Sequence, residues 1–447
     1  VAATSDARTA ARLAILTPRV VHAPSRRAAL AGARAMLAKP APAAPPPPPA
    51  PAGRQRVVLQ VGDFTEGGME QVVIDLTEAL AAAGMHSSIL VLGRVGPAAE
   101  RARQRGLHLE RLAADRDRYA AFLERERVDL INAHFSTFGA DLCAAARVPF
   151  VQAIHNMYMW FGRPERDEYR AADPYTRAYV CVSNNAARYA DLALGLSRER
   201  MLVIPNGCAR SYVQPAPAPE AVAALRAEFG MPADARIFLN VASIQPAKGQ
   251  HLLLAAFARV AADCPNAHLL FAGRPMDDAY AETLVQRVRD LGLTDRVHWA
   301  GHRSDVTTLH AAAAALVMPS FFEGWSLAIT EAVLAGLPVI ATDVGGASEQ
   351  LEGTDGILLS PAAADLSAVD IHRLLALLDS PCEALVDELA DALRAVYARR
   401  GARSRLPADW ERLLRERAYE RYVHLFRWLL AGGEPAAARA WTEPGPS

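Results

Sequence analysis

Residues 319–346, PSFFEGWSLAITEAVLAGLPVIATDVGG, decide the fold. The apolar run Ala315-Leu316-Val317-Met318 leads into this stretch and stops at Pro319, the pattern of a strand buried on both faces of a parallel sheet. A loop with one glycine follows, residues 321–325, and Ser326-Leu327-Ala328-Ile329 opens a helix whose apolar side is Leu327, Val333 and Leu334. Gly336 suits the helix stop, and Pro338 forbids its continuation. Residues 338–342 form the next strand. The spacing thus predicts a strand–loop–helix–strand unit that carries two carboxylates, Glu323 and Glu331, to one end of a sheet. Ligands of open α/β sheets bind there, beside helix N-termini. The amides of Trp325, Ser326 and Leu327 lie at such a terminus and make a natural seat for a phosphate. Two acids beside an anion seat make sense if one grips the hydroxyls of a sugar and the other those of a ribose. The plainer alternative is an amphipathic helix with two solvated acids; the loop glycine and the flanking strands in register weigh against it.

The rest of the composition sets bounds. A chain of 447 residues, 51% hydrophobic and 22% charged, has length for two or three domains with sizeable cores. A net charge of −1 gives no steering toward nucleic acid, and no nucleic-acid partner is expected. Cys143, Cys181, Cys208, Cys264 and Cys382 are scattered, without a C-x-x-C pair, so neither a zinc cage nor a disulfide framework is implied and a cytoplasmic setting fits best. No apolar run reaches the roughly 18–20 residues of a membrane span. Among the 48 basic residues lysine occurs only at Lys39 and Lys248. A chain that prefers arginine's planar fork has placed a slim point charge at one loop, the choice a tight phosphate-binding turn favours.

Residues 1–55 read as an unfolded leader, Ala/Arg-rich and acid-poor up to Lys39, then a proline run. A solvated basic tail is the first reading of it; a transit peptide and a peripheral membrane contact are the others. Strands are expected at 57–61, 88–92, 129–133, 150–154, 179–182 and 202–204, with helical segments between several of them, which implies a parallel doubly wound domain. Gly67-Gly68 ends the loop after the first strand and allows a close backbone approach to a phosphate, or simply a tight turn. His134 and His155 end two strands. The first is expected to be structural; the second opens an aromatic loop, His155-Asn156-Met157-Tyr158-Met159-Trp160-Phe161, suited to stacking on sugar rings. After a proline-rich linker at 215–219 the rhythm repeats, with strands at 236–242, 268–272, 297–300, 316–318, 339–341 and 356–359. Ser243 to Gly249 follows the first of these, so Lys248 stands at a helix N-terminus with Gly249 beside it. Gly273-Arg274-Pro275 and Gly301-His302-Arg303 line the same rim. Asp115-Arg116-Asp117 mimics a metal motif but reads as surface. Leu414, Ala418, Tyr422, Leu425 and Leu429 form the apolar stripe of a helix over 409–430. Residues 433–447 look disordered.

The run E-G-x-S-x-x-x-x-E, from Glu323 to Glu331, resembles the twin-glutamate signature of glycosyltransferase family 4. The resemblance covers about residues 57–430 and implies an α/β GT-B fold: two facing Rossmann-like doubly wound domains with a C-terminal crossover helix. Its domains would be 56–212 for the acceptor and 213–405 for the nucleotide-sugar donor, with a helix at 406–432 packing back on the first. By resemblance Glu323 contacts the donor sugar and Glu331 the ribose, while Lys248 and Gly249 belong to an R-x-x-x-x-K-G loop that holds the pyrophosphate. Here the arginine is replaced by Ser243, and Arg274 is a candidate substitute. The resemblance makes His155, Glu323 and Lys248 catalytic. It assigns Gly67, Gly68, Gln245, His302, Arg303, Gly324, Trp325, Ser326 and Leu327 to the donor as well, and puts Asn156, Tyr158, Trp160 and His134 on the acceptor side. It implies retaining transfer from a nucleotide-diphosphate sugar to a glycan or glycolipid, with no metal. Two rivals stand beside it: a non-catalytic binding module of the same shape, and a phosphorylase, which would need a Schiff-base lysine for pyridoxal phosphate.

Overall fold

A computed structural model describes residues 55–442 except Leu366, Arg400 and Ala402; the leader up to residue 54 and the end of the tail lie outside the described residues. The chain forms two compact units. One gathers residues 55–157, Phe161–Gly207 and 415–442; the other gathers Cys208–Leu414 with Tyr158–Trp160.

The first unit is built on seven parallel strands: β1 (Arg56–Val61), β2 (His86–Val91), β3 (Leu109–Arg111), β4 (Leu130–His134), β5 (Phe150–Ile154), β6 (Ala178–Cys181) and β7 (Met201–Val203). Their order is β3-β2-β1-β4-β5-β6-β7, so the winding reverses between β1 and β4. Val57, Leu59 and Val61 enter one apolar cluster while Val58 enters another, because alternate side chains of a strand point to opposite faces and both faces are covered. The helix Gly68–Ala82 follows β1, with Gly67 at its cap. β3 escaped the sequence reading: three half-exposed to exposed residues at a sheet edge leave too short a pattern to see.

The helix Arg415–Leu430 belongs to this unit. Ala418, Tyr422, Leu425 and Leu429 lie in the same core as Val57 and Leu59, joined by Phe426. Arg415 pairs with the buried Asp75 at 2.9 Å, and Arg427 donates to the carbonyl of Ala83 at 2.7 Å. The expected start at 409 is corrected: Trp410–Leu413 is a 3₁₀ turn, and Leu414 is extended with ψ 139°. The expectation of disorder after 433 is also corrected, because Pro435–Thr442 is a helix. Ala438 is fully buried in the core, and Arg439 donates to the carbonyl of Met201 on β7 at 3.0 Å. Its alanines carry little hydrophobic signal but pack closely, which is why composition alone misread it.

The second unit has six parallel strands: β8 (Arg236–Val241), β9 (Ala267–Ala272), β10 (Val297–Gly301), β11 (Ala313–Met318), β12 (Val339–Thr342) and β13 (Ile357–Leu359), in the order β10-β9-β8-β11-β12-β13. Its winding reverses between β8 and β11, so the loops leaving those two strands lie side by side where a doubly wound sheet binds its ligand. The amide of Phe321 donates to the carbonyl of Ala247 across them at 2.9 Å. At the opposite end of the sheet, arginines cap helix C-termini: Arg236 donates to the carbonyl of Val396, and Arg403 to those of His310 and Ala311.

Candidate functional site

The loop after β8 turns through a short 3₁₀ helix, Pro246–Lys248, into the helix Gln250–Val260. Gly249 joins them at φ 67°, in the left-handed region, and a Cβ there would lie 2.0 Å from the carbonyl oxygen of Pro319. The glycine is thus required by the packing of one loop on the other. That packing brings Lys248 to Glu323: Nζ and Oε1 are 2.6 Å apart, with side chains only 20% and 10% exposed. The same carboxylate oxygen accepts from the hydroxyl of Ser320 at 3.0 Å. Gln245, nearly buried, donates to the hydroxyl of Ser243 at 2.7 Å. The strand-like pairing of Ile244 with the Gly273–Pro275 loop, Ile244 N–H to Arg274 carbonyl at 2.9 Å, sets the exposed Arg274 beside them.

The loop from Glu323 to Ser326 is held from beneath. Ser326 caps the helix Leu327–Leu334 by accepting from the amide of Ile329. Its carbonyl accepts from Gln350 at 2.7 Å, and the indole of Trp325 donates to Thr330 at 3.0 Å. Gly346 donates to the carbonyl of Gly324 at 2.9 Å, and a Cβ on Gly346 would meet the Trp325 ring at 2.3 Å. Ser320, Gln350 and the Gly345-Gly346 pair were missed as site residues; the double glycine ending the opening stretch was the available signal.

Glu331 lies half-buried on the same helix beside Tyr212. Removal from water pushes its carboxyl up to about 7, against an opposing hydrogen bond from the Tyr212 hydroxyl. Tyr212 itself went unnoticed in the sequence. The two glutamates therefore differ in kind: one is matched to an ammonium, the other withdrawn from water without a cation. An anion that draws Lys248 away leaves Glu323 with a free lone pair for a hydroxyl.

In the first unit His134 ends β4 and is fully buried, bonded to Asn132 Oδ1 at 3.0 Å and to His155 at 2.6 Å. Its acceptor-side placement is corrected: it supports His155 from inside. His155 is 8% exposed, and burial brings its imidazole down to about 4, so it is neutral near pH 7. Asn156 accepts from the amide of Met157 at 2.9 Å. Tyr158 and Trp160, which group with the second unit, are 0% and 2% exposed and meet edge to face at 5.6 Å. Their apolar mass is better hidden than shown. Gly67 and Gly68 do open a helix, but the carboxylate of the buried Glu70 lies over Gly67, 2.7 Å from where a Cβ would stand. In the second unit His302 is exposed at the end of β10. The guanidinium of Arg303 is shared by Asp305 at 2.8 Å and Glu228 at 2.7 Å. Asp115 caps the helix Arg116–Arg125. Among the described residues no group of three or more His, Cys, Asp or Glu is arranged to hold a metal ion, and no helix is long and apolar enough to cross a membrane.

Two family models match the chain. Glycosyltransferase Family 4 matches residues 66–211 and Glycosyl transferases group 1 matches residues 222–385, together more than half the chain. Among curated proteins the chain is similar to D-inositol 3-phosphate glycosyltransferases of Mycobacterium bovis and Mycobacterium tuberculosis, 31% identical over 227 residues, 49% of this chain and 46% of theirs. The match spans about half the length of these curated relatives. Among solved structures it resembles Anabaena HepE in complex with UDP, with a TM-score of 0.60 and 23% identity over 77% of this chain and 95% of that one. A glycosyltransferase from Rickettsia africae gives a TM-score of 0.64 with 17% identity, over 85% of this chain and 99% of that one. At these identities the likeness shows the fold, which is GT-B: two Rossmann-like domains.

Proposed function

Because the chain belongs to glycosyltransferase family 4, we propose that it transfers a sugar from a nucleotide-diphosphate sugar to a hydroxyl of a glycan or glycolipid, with retention at the anomeric carbon. The observation that carries this reading is the pairing of Lys248 with Glu323 at the strand ends of β8 and β11. The ammonium and the main-chain donors at the start of the helix Leu327–Leu334 are suited to the diphosphate, whose bond to the anomeric carbon breaks with the electron pair leaving on oxygen. The acceptor oxygen forms the new bond on the same face, and its proton passes to a phosphate oxygen. Glu323 then serves the donor sugar and Glu331 the ribose. Charge in this scheme is met by Lys248 and amides and calls for no metal. Synthesis of cell-surface polysaccharide or glycolipid is the setting that suits such an acceptor.

The test begins with thermal shifts against UDP and GDP, since a ligand at about 100 times its dissociation constant stabilises by about 2.7 kcal/mol. Lys248→Ala is expected to lose the nucleotide shift. Glu323→Ala is expected to keep the shift but lose sugar transfer. A second reading, a binding module of the same fold, is favoured by one feature: Ser243 stands where the family's arginine would be, and its hydroxyl is taken by Gln245. Wild-type protein that binds a nucleotide but transfers to no acceptor extract decides for the module. The phosphorylase reading loses ground, because Lys248, the lysine among the described residues, is held by Glu323.

A further inference from the structure

The far end of the second sheet carries a cleft of about 190 Å³ walled by Arg226, Arg236 and Arg403. It lies where β8, β11 and β12 begin, whereas the Lys248–Glu323 pair follows the ends of β8 and β11. At about 3.3 Å per residue of strand the two places are on the order of 20 Å apart. Much of the remaining wall is alanine: Ala235 and the run Ala311-Ala312-Ala313-Ala314. Methyl side chains leave open a space that larger residues would fill. The ladder is irregular here as well. Ala313 pairs with Ile237 and Ala315 with Phe238, so Ala314 is an extra residue on β11 at the wall of the cleft.

No Asp or Glu lines the cleft, and among the described residues none of the three arginines makes an ion pair. Each engages main-chain carbonyls instead. Arg226 donates to Ala235 and Ala312 at 2.8 and 3.1 Å. Arg236 donates to Val396 and Arg399 at 3.0 and 3.1 Å, and Arg403 to His310 and Ala311 at 2.9 and 2.7 Å. The plain reading is that the arginines are counter-charges for helix C-termini, and it falls short in magnitude. The helices Pro219–Glu228, Val306–Ala312 and Glu383–Ala398 end here. At roughly half a negative charge each, they meet only about half of three positive charges. Acceptors are short too: a guanidinium has five N–H donors, and the buried Nε of Arg236 has no partner among the described residues. Withdrawal from water lowers the pKa of Arg226 and of Arg403, the direction expected of a cation that lacks a close counter-charge. Asp234, the carboxylate whose field opposes this at Arg226, is itself hydrogen-bonded to Asn266.

We propose that this cleft is a second anion site that takes a compact phosphate group, as inorganic phosphate, as pyrophosphate or as the phosphate end of a small ester. Guanidinium forks match phosphate oxygens in pairs, and an oxyanion brings the acceptors and the charge that the helix ends leave wanting. The cleft is well under the roughly 300 Å³ at which pockets for drug-sized ligands begin, which suits a phosphate group and not a whole nucleotide. The site stands apart from the transfer reaction proposed above and does not depend on it.

The test is calorimetric titration of the full chain carrying Lys248→Ala, so that the candidate donor site does not compete. Inorganic phosphate, pyrophosphate and glycerol phosphate are titrated in turn in about 0.1 M sodium chloride, which screens loose surface association. Saturable binding of at least one of them is expected. Tighter binding of glycerol phosphate assigns the site to a phosphorylated metabolite, and tighter binding of phosphate or pyrophosphate assigns it to the free anion. Arg403→Gln, a change at an exposed side chain, should weaken binding about tenfold through the loss of a charged donor. Ala314→Leu should abolish it by filling the cleft while leaving every charge in place. No saturable binding of any of the three anions overturns the proposal, as does binding that both variants leave unchanged. Binding seen in the wild type but absent from Lys248→Ala belongs to the candidate donor site and overturns it too. Should Ala314→Leu fail to fold, Arg403→Gln and Arg226→Gln decide in its place. A protein that binds phosphate here and transfers no sugar keeps this site and loses the transferase reading.

Discussion

Glu331 shows how much one side chain's surroundings matter. It lies on the helix that follows the loop carrying Glu323, yet among the described residues it meets no ammonium, and burial pushes its carboxyl up to about 7. A carboxyl whose folded value lies above its unfolded value stabilises the fold below the unfolded value, and that contribution is lost as pH rises through the folded one. The window here runs from the ordinary glutamate value of 4.5 up to about 7. Glu331→Gln removes the titration. Melting temperatures of the two proteins between pH 5 and 8 should therefore converge toward one end of the range, with wild type losing ground relative to the variant as pH rises to 7. A difference that does not change with pH would mean that Glu331 is solvated. Glu323 differs in having Lys248 at 2.6 Å, and the binding role proposed for it depends on a ligand competing for that cation.

At the scale of elements, the candidate donor site consists of two loops, and the register between them is set by Gly249. Its left-handed φ and the carbonyl of Pro319 at 2.0 Å from a hypothetical Cβ leave no place for a methyl group. Gly249→Ala is expected to cost about 1–3 kcal/mol in backbone strain alone. It should also move Lys248 away from Glu323, so the nucleotide-dependent thermal shift should vanish together with the loss of stability. A variant with the original shift would show that the loops can separate without harm to the site. The helix Arg415–Leu430 illustrates the converse: its position was legible from the apolar stripe Ala418, Tyr422, Leu425 and Leu429, because an amphipathic helix must bury that face somewhere. The short helix Pro435–Thr442 was not legible, since its alanines bury well yet contribute little periodic signal.

For the whole molecule, the histidines set the response to acid. His155, His251 and His310 are each brought down to about 4 by burial. Groups with depressed histidine values bind protons only after unfolding, so the stability they carry is present above about 6.5 and is lost as pH falls toward 4, the opposite sign to Glu331. His310 is the sharpest case: it is fully buried, and among the described residues neither ring nitrogen has a hydrogen-bond partner. His310→Leu should raise stability at pH 5 more than at pH 7.5 in chemical unfolding, and equal gains at both would rule out its titration as the cause. Sequence by itself determined the two doubly wound sheets, because parallel strands covered on both faces read as unbroken apolar runs punctuated by glycine and proline. It also singled out Lys248, the twin acids and His155, since loops at strand ends are where such sheets bind. Only tertiary structure decided that Lys248 meets an acid 75 residues away, that His134 backs a histidine 21 residues on, and that Tyr158 and Trp160 are hidden. Pattern along a chain reports which faces need covering; which side chains then touch depends on how distant segments pack, and no local spacing encodes that.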